Sequence, residues 1–440
     1  MQRLTKEFLP WEEFEGLKVI LRTCFRAFLI VLRLKPQLPH QFRMPYTTID
    51  QIFVFAKQQV LQYLAHWLPL WIVQIVSILL SISAVLAAYY TIFALISVWE
   101  RKILGRIQNR YGPNRVGPWG LFQPMADGIK LIIKEDVVPR SADQVIHFLA
   151  PLVMVQPALY GLCVIPVGRN MTAFSIDSGI LFFFAISSAT ELAVFMAGWA
   201  SNNKYSILGA MRAIAQMISY ELPLILSTIP VIMIAGSLRP DAIIDAQAGY
   251  SFGVIPHWFC FTPWGFAAFI LFFIGAMVES NRSPFDLPEG ESELVAGHMT
   301  EYSGFKYATF FVAEYLGLFA ILGLCVTLFL GGWHAPTRWL EWIPSYCWYF
   351  GKLGFLLFVC IWVRGTVPRF RFDQVMTFSW KFMIPMALTC MIAAAVWHYT
   401  GGGWGSWIGS IGLILAAYIA LSVAMHARQR LAVRTYRFAE

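Results

Sequence analysis

The chain has 440 residues, 58% of them hydrophobic, 16% aromatic and only 13% charged, with a mean hydropathy of +0.61 and a formal net charge of +8. Soluble domains carry about 25% charged residues, so this composition excludes an ordinary soluble fold and places the chain among polytopic membrane proteins. The positive charge could suggest nucleic acid, but its Lys and Arg residues follow the loops between apolar runs, so no nucleic-acid partner is expected.

Residues 1–67 hold nine Lys and Arg. Within GLKVILRTCFRAFLIVLRLK, Lys18, Arg22, Arg26 and Arg33 fall within about 80° of one another on a wheel turning 100° per residue, forming one cationic stripe. A membrane span here would bury two central arginines at about 2.5 to 3.5 kcal/mol each. The preferred reading is an amphipathic helix lying in the interface, with a tenth span as the alternative. No small-residue cleavage site follows, so a removable signal peptide is not expected.

Nine apolar runs follow, near 70–98, 147–167, 179–200, 213–236, 262–279, 307–331, 345–363, 377–398 and 404–426. Each is long enough to cross a hydrocarbon core of about 30 Å as helix. They are too long and too continuously apolar for barrel strands, which alternate over about ten residues. The expected fold is an all-α, polytopic transmembrane helical bundle. The connections after runs 1, 3, 5, 7 and 9 carry twenty Lys and Arg, against Arg169, Arg239 and Arg338 in the others. By the positive-inside rule the first group and the C-terminus face the cytoplasm.

The longest inside connection spans 100–146. Its first part, punctuated by Gly112, Pro113, Gly117, Pro118 and Gly120, is predicted to be extended or looped. Its second part, 119–134, sets Phe122, Met125, Ile129, Ile132 and Ile133 against Asp127, Lys130 and Lys134, the pattern of an amphipathic surface helix.

Ionisable residues inside spans are costly and mark functional candidates, with a structural ion pair as the plain alternative. Glu191, Glu221, Glu314, Lys352, Arg364 and Lys381 lie within or close to runs, while Glu100 and Glu279 close runs 1 and 5. The stretch ESNRSPFDLPEGESELVAGHMTEYSG, 279–304, adds six carboxylates against Arg282, opposing the local excess of positive charge. Pro284 and Pro288 stop any helix continuing from run 5, and Glu289 and Glu293, four apart, would share a face of a short following helix. Carboxylates grouped in low dielectric titrate as coupled sets, so a proton relay with its mouth at this loop is the functional reading. The seven cysteines have no CxxC spacing and the eight histidines no pair at facing depths, so metal, iron–sulfur and haem sites are not expected on this chain.

At these residues the sequence resembles a family of membrane subunits of the proton-pumping NADH:quinone oxidoreductase, respiratory complex I: the H-type subunit, called subunit 1 in mitochondria. Four blocks carry the resemblance in order: ERKILGRIQNRYGPNRVGPWGLFQPMADGIKLIIKED, NNKYSILGAMRAIAQMISYE, ESNRSPFDLPEGESELVAGHMTEYSG with FFVAEY close behind, and RGTVPRFRFDQVM followed by WKFMIP. The likeness implies an eight-helix core over 68–400, leaving 1–67 as an N-terminal extension and 401–440 as an extra C-terminal helix with a basic tail. It implies a multi-pass subunit of the bacterial cytoplasmic (inner) membrane, in contact with lipid. Its partners would be peripheral-arm subunits that reduce quinone and small membrane subunits. It also implies no cofactor bound by this chain, with flavin and iron–sulfur clusters in partner subunits and quinone as substrate.

The family's acidic funnel falls here on Asp286, Glu289, Glu291 and Glu293, then Glu279, Glu221 and Glu314, with Tyr220 and Tyr315 beside the last two. Arg101, Arg110, Arg282 and Phe285 match positions at or near its quinone passage, and Arg369 and Lys352 match charged positions. Glu191 stands where the family has an apolar residue, so it reads as an extra relay member or a local pair. His298 and Met299 replace an aromatic followed by a polar residue. Two rival readings remain: the corresponding subunit of an energy-converting nickel–iron hydrogenase, and a stand-alone secondary transporter.

Overall fold

The computed structural model of the chain describes residues 52–428, apart from 68, 170, 252–254, 288–289, 291–294 and 402. The predicted cationic helix at 16–35, the basic tail and the carboxylates Glu289, Glu291 and Glu293 lie outside the described residues.

All nine predicted runs are helical. Among the described residues eight helical spans, two of them made of consecutive helices (179–200 and 372–399), are long and apolar enough to cross a membrane, and Pro263–Glu279 is a shorter apolar helix. In chain order, α1 is Ile52–Ala65, α2 Leu70–Ile107, α3 Gln123–Ile133, α4 Gln144–Val164, α5 Gly179–Ser187, α6 Ala189–Ala200, α7 Lys204–Ala235 and α8 Pro240–Ala246. A minimal hairpin of β1 (Tyr250–Ser251) and β2 (Ile255–Pro256) precedes α9, Pro263–Glu279. Then come α10 Gly304–Phe329, α11 Ser345–Thr366, α12 Phe372–Phe378, α13 Ile384–Tyr399 and α14 Trp404–Arg428.

Two boundaries depart from expectation. The first span runs on to Ile107, so the part of the cytoplasmic connection expected to be looped is helical for its first turns. The helix has no Gly or Pro to stop it before Gly105, and most of its later residues, Glu100, Arg101, Lys102, Leu104 and Arg106, are good helix formers that carry it past that glycine. The turn lies further on, where Trp119 adopts φ +57° and Gly120 φ +76°. A Cβ on Gly120 would meet the carbonyl oxygen of Pro113 at 2.1 Å, so the chain can fold back here only with glycine. The surface helix expected over 119–134 forms as α3. The fourth span begins at Lys204, capped by the Asn203 side chain on the Tyr205 amide (3.1 Å), nine residues before its apolar run.

Helix lengths set depth. At 1.5 Å per residue α2 is about 57 Å long and α7 about 48 Å, more than a hydrocarbon core needs, whereas the 17 residues of α9 cover only about 26 Å. The carboxylate that ends α9, Glu279, therefore stays at membrane depth. Two other spans are interrupted rather than short. The third breaks at Ser188 between α5 and α6, and the eighth passes from α12 to α13 through a π turn, Ser379–Met383. Such breaks expose backbone that a straight helix would satisfy internally.

At the centre, α7 packs against α6, α9 and α13, and α10 packs against α4, α9 and α11. One apolar core spreads over most helices, and a second, rich in alanine, fills the space between α4, α6, α7 and α10. The outward faces carry large apolar side chains such as Phe148, Leu152, Ile408, Leu415 and Ile419, the pattern of a lipid-facing surface. The ninth span, α14, lies against α13 and α9, its Ser410 hydroxyl donating to the Ala393 carbonyl (3.3 Å).

Candidate functional site

The interrupted and short helices bring acids from four elements together. Just before the break at Ser188, the Ser187 hydroxyl donates to Glu279 Oε1 at 2.7 Å. Glu279, Ser280 and Asn281 at the end of α9 face Glu314 of α10 across a cavity of about 60 Å³, closed on the third side by Met154, Pro157 and Gly161 of α4. A water needs about 10–15 Å³ of such space, so the cavity has room for several. On its other side Glu279 lines a second, tight cleft with Glu191 of α6 and Glu221 of α7. Glu279 thus belongs to both, and the line Glu314, Glu279, Glu221 with Glu191 is continuous in space. Carboxylates so placed exchange protons as a set rather than singly.

Beside this line sits a fixed charge cluster. Glu100, near the end of α2, is 5% exposed and accepts a 2.5 Å hydrogen bond from the Tyr315 hydroxyl. It pairs with Arg364 of α11 and, at 3.4 Å, with Arg282 of the loop after α9. The guanidinium of Arg282 lies over the Tyr315 ring, 3.9 Å from its centre. Burial works against the Arg282 charge, but Tyr315, Glu100 and Glu314 more than offset it and hold the group protonated. Because Tyr315 follows Glu314 in α10, this cluster fixes the rotation of the helix that carries Glu314.

The loop leading away from Glu279 is held by α7 and by the segment after α11. Gln216 of α7 donates to the carbonyls of Val278 (3.3 Å) and Phe285 (2.9 Å). Phe285 stacks on Phe370 (5.6 Å between ring centres), the Phe370 amide donates to the Pro284 carbonyl (3.3 Å), and Arg369 reaches Asp286 at 4.0 Å. The segment after α11 therefore closes over the acidic loop, joining Phe285, Asp286 and Arg369 as one patch.

Four other residues singled out in the sequence sit apart from the acids. Tyr220 is fully buried and gives its hydroxyl to the Val375 carbonyl (2.8 Å), tying α7 to α12. Arg101 is exposed and pairs with Asp127 of α3 (2.6 Å), and Arg110 donates to Gln108 (2.8 Å). Lys352 lies near the opposite end of the bundle, where its ammonium donates to the carbonyls of Leu330, Gly332 and His334 at 2.6–2.9 Å and lies 4.0 Å from the Trp258 ring centre. It clamps the loop after α10.

Sequence reasoning noted Glu100 as the close of the first run and Arg364 as a charge within or close to the seventh, but gave them no part in the site. The available signal was position: Glu100 lies about two turns inside the end of α2 and Arg364 in the last turn of α11, where an unpaired charge near membrane depth is costly, so a partner of opposite sign was required. Ser187 carried no such signal. Among the described residues no group of three His, Cys, Asp or Glu is placed to hold a metal ion.

Comparison with known proteins agrees with this architecture. The family model described as NADH dehydrogenase matches residues 80–395. The H subunit of the NADH-quinone oxidoreductase of Polaromonas naphthalenivorans (strain CJ2) is 42% identical over 76% of this chain and 92% of its own length. That of Geobacillus sp. (strain WCH70) is 47% identical over 68% and 86%, and that of Dehalococcoides mccartyi (strain CBDB1) 44% over 72% and 86%. The match takes in all the helices that carry the acids and the charge cluster, and the chain belongs to the NADH dehydrogenase family of multi-pass membrane subunits.

Proposed function

We propose that the chain is the membrane subunit of a multi-subunit, proton-translocating NADH:quinone oxidoreductase in which quinone chamber and proton route meet. The observation that carries this is the position of Glu279, shared between the cavity with Glu314 and the cleft with Glu221 and Glu191. Reduction of a quinone to a quinol takes up two electrons, delivered by flavin and iron–sulfur clusters of partner subunits, and two protons. The Asp286 loop, with Phe285, Arg282 and Arg369 and the acids Glu289, Glu291 and Glu293, serves as the chamber side of the route. Protons or charge drawn from it are passed inward by Glu279 to Glu221 and Glu314. Arg101 and Arg110 belong to the surface where quinone enters from the bilayer. The subunit resides in a bacterial cytoplasmic membrane, with the Asp286 loop and the C-terminus on the cytoplasmic side.

The test is Glu221→Gln in the intact complex. NADH:quinone activity and the coupled pumping are expected to be lost while NADH oxidation by a soluble artificial acceptor continues. Full quinone reductase activity in this variant would sink the relay.

A further inference from the structure

A second group of titratable side chains lies outside the acid line. His298, in the 3₁₀ turn Gly297–Met299, and His147, in the first turn of α4, are both fully buried, and Tyr302 is 6% exposed. Neither ring nitrogen of either histidine, nor the Tyr302 hydroxyl, makes a well-aligned hydrogen bond among the described residues. The backbone of Glu301 lies beside His147, out of line. The three rings form one cluster: His147 stacks on Tyr302 with centres 4.0 Å apart, and Phe310 of α10 packs edge-on against Tyr302 (4.8 Å) and His298 (5.7 Å). Buried polar atoms without partners are rare and costly, about 1–3 kcal/mol each, so five in one place call for a function.

Their location supplies it. The cluster sits at the cytoplasmic end of the seam between α4 and α10, just beneath the ion pair of half-buried Lys306 with exposed Asp136 (2.7 Å) and Glu301, which accepts from Asn203 (2.6 Å). Along α4, His147, Ala150, Met154, Pro157 and Gly161 share a stripe. Along α10, Phe310, Ala313, Glu314 and Gly317 do the same. The inner halves of both stripes line the cavity that contains Glu314 and Glu279. Only the alanine-rich core stands between, with Met154 and Ala313 belonging to both core and cavity. From His147 to Met154 is seven residues, about 10 Å along the helix. Alanines leave little to displace, and methionine re-packs readily.

We infer that His147, His298 and Tyr302 form a buried water-binding site that is a second proton inlet to Glu314, separate from the Asp286 loop. A neutral imidazole accepts a hydrogen bond at one nitrogen and donates at the other, so each ring can take a proton from a water on one side and release one on the other, with no net change in its own charge. Met154 and Phe310 gate the step into the cavity. The inference rests on the relay proposed for Glu314, but its test separates the two.

In the intact complex, a brief X-ray pulse generates hydroxyl radicals from water where it sits, so oxidation read by mass spectrometry reports whether buried side chains touch water. His298, Tyr302 and Met154 are expected to be labelled at several times the rate of Met386 and Tyr89, which are no more buried than they are. Labelling no faster than those controls overturns the water site, whatever Glu314 does. His298→Phe and the milder Tyr302→Phe, which removes one oxygen, are expected to lower coupled NADH:quinone turnover several-fold and to raise its solvent deuterium isotope effect. Wild-type turnover and isotope effect in both variants overturn the inlet. Loss of coupling in Glu221→Gln together with wild-type behaviour in these variants leaves the relay standing without the inlet. Unimpaired coupling in Glu221→Gln strikes at the relay itself.

Discussion

Glu100→Gln removes one negative charge from between two guanidiniums while keeping the shape of the side chain. Glu100 and Arg282 have side chains 7% and 11% exposed, so their pairing is a buried one, and deleting one member of such a pair costs about 3–5 kcal/mol because the other charge stays buried. Arg364 is 33% exposed, and solvent screens its share, which argues for the lower end, about 3 kcal/mol. Cys360 of α11 is 4% exposed, sits one turn before Arg364 and lies within electrostatic reach of Glu100 and Arg282, so it reports local opening of this cluster. About 3 kcal/mol corresponds to roughly a hundredfold rise in the open population. Maleimide modification of the native complex, followed at the Cys360 peptide, is expected to accelerate by about that factor in Glu100→Gln, where opening is the limiting equilibrium. Glu100→Asp keeps the charge and is expected to restore most of the protection. Cys390, buried in α13, serves as the unaffected control. A Cys360 rate within about threefold of wild type would show that the two arginines find compensation and that Glu100 does not organise this region.

Three further outcomes follow from single contacts. Burial pushes the His298 imidazole down to about 4, from the usual 6.5. The unfolded chain then binds more protons than the folded one between those values, so stability is fully present above about pH 6.5 and falls as pH drops toward 4, by about 3 kcal/mol in all. Hydrogen exchange of the 297–302 segment should therefore accelerate across that window in wild type and much less in His298→Phe; equal acceleration in both would contradict the assignment. Lys352→Met removes an ammonium that holds three carbonyls, so the loop after α10 is expected to loosen by about 2–3 kcal/mol and become open to proteolysis, with the ratio of pumping to quinone reduction unchanged. A changed ratio would return Lys352 to the relay. Glu191→Gln deletes one titrating member of the cleft and is expected to alter the pH profile of coupled turnover, where a profile superimposable on wild type takes Glu191 out of the route.

The nine apolar runs that are helical among the described residues could be read from the sequence because apolar length reports directly on crossing a bilayer, and the surface helix after the first span because its periodicity is strong. The helix ends were less legible. The first span's extension to Ile107 and the fourth's start at Lys204 lie in water or the interface, where hydropathy says nothing and caps decide. The acids Glu191, Glu221, Glu279 and Glu314 could be picked out singly, since each is costly where it lies, but their meeting could not. That meeting depends on the break at Ser188 and the shortness of α9, which reflect packing between helices remote in sequence. At Tyr220 and Lys352 the hydrogen bonds go to backbone carbonyls near a helix interruption and a loop, and nothing in the sequence distinguishes such a contact from a place in proton transfer.

The two kinds of acid in this bundle are treated in opposite ways, and the contrast bears on mechanism. Glu100 is surrounded by two guanidiniums and a phenol, so its charge is fixed and it can act only as an anchor. Among the described residues no cation pairs with Glu191 or Glu221, and Glu279 is held by the neutral hydroxyl of Ser187 alone. A carboxylate locked in an ion pair gives up its proton-accepting role, because taking a proton would strand the cation. One without a counter-ion can gain or lose a proton at modest cost and passes the electrostatic consequence to its neighbours. The anchor adjoins the relay through Arg282 and the Glu314–Tyr315 pair. A change of charge at the Asp286 loop would therefore be felt first by Arg282, which shares that loop, and then by Glu314 through the same guanidinium. On this argument, if the acids form the proposed relay, the fixed cluster is what links them to the Asp286 loop, and coupled pumping should be lost in Arg282→Gln even when every carboxylate is left in place, whereas wild-type pumping in that variant would refute the link.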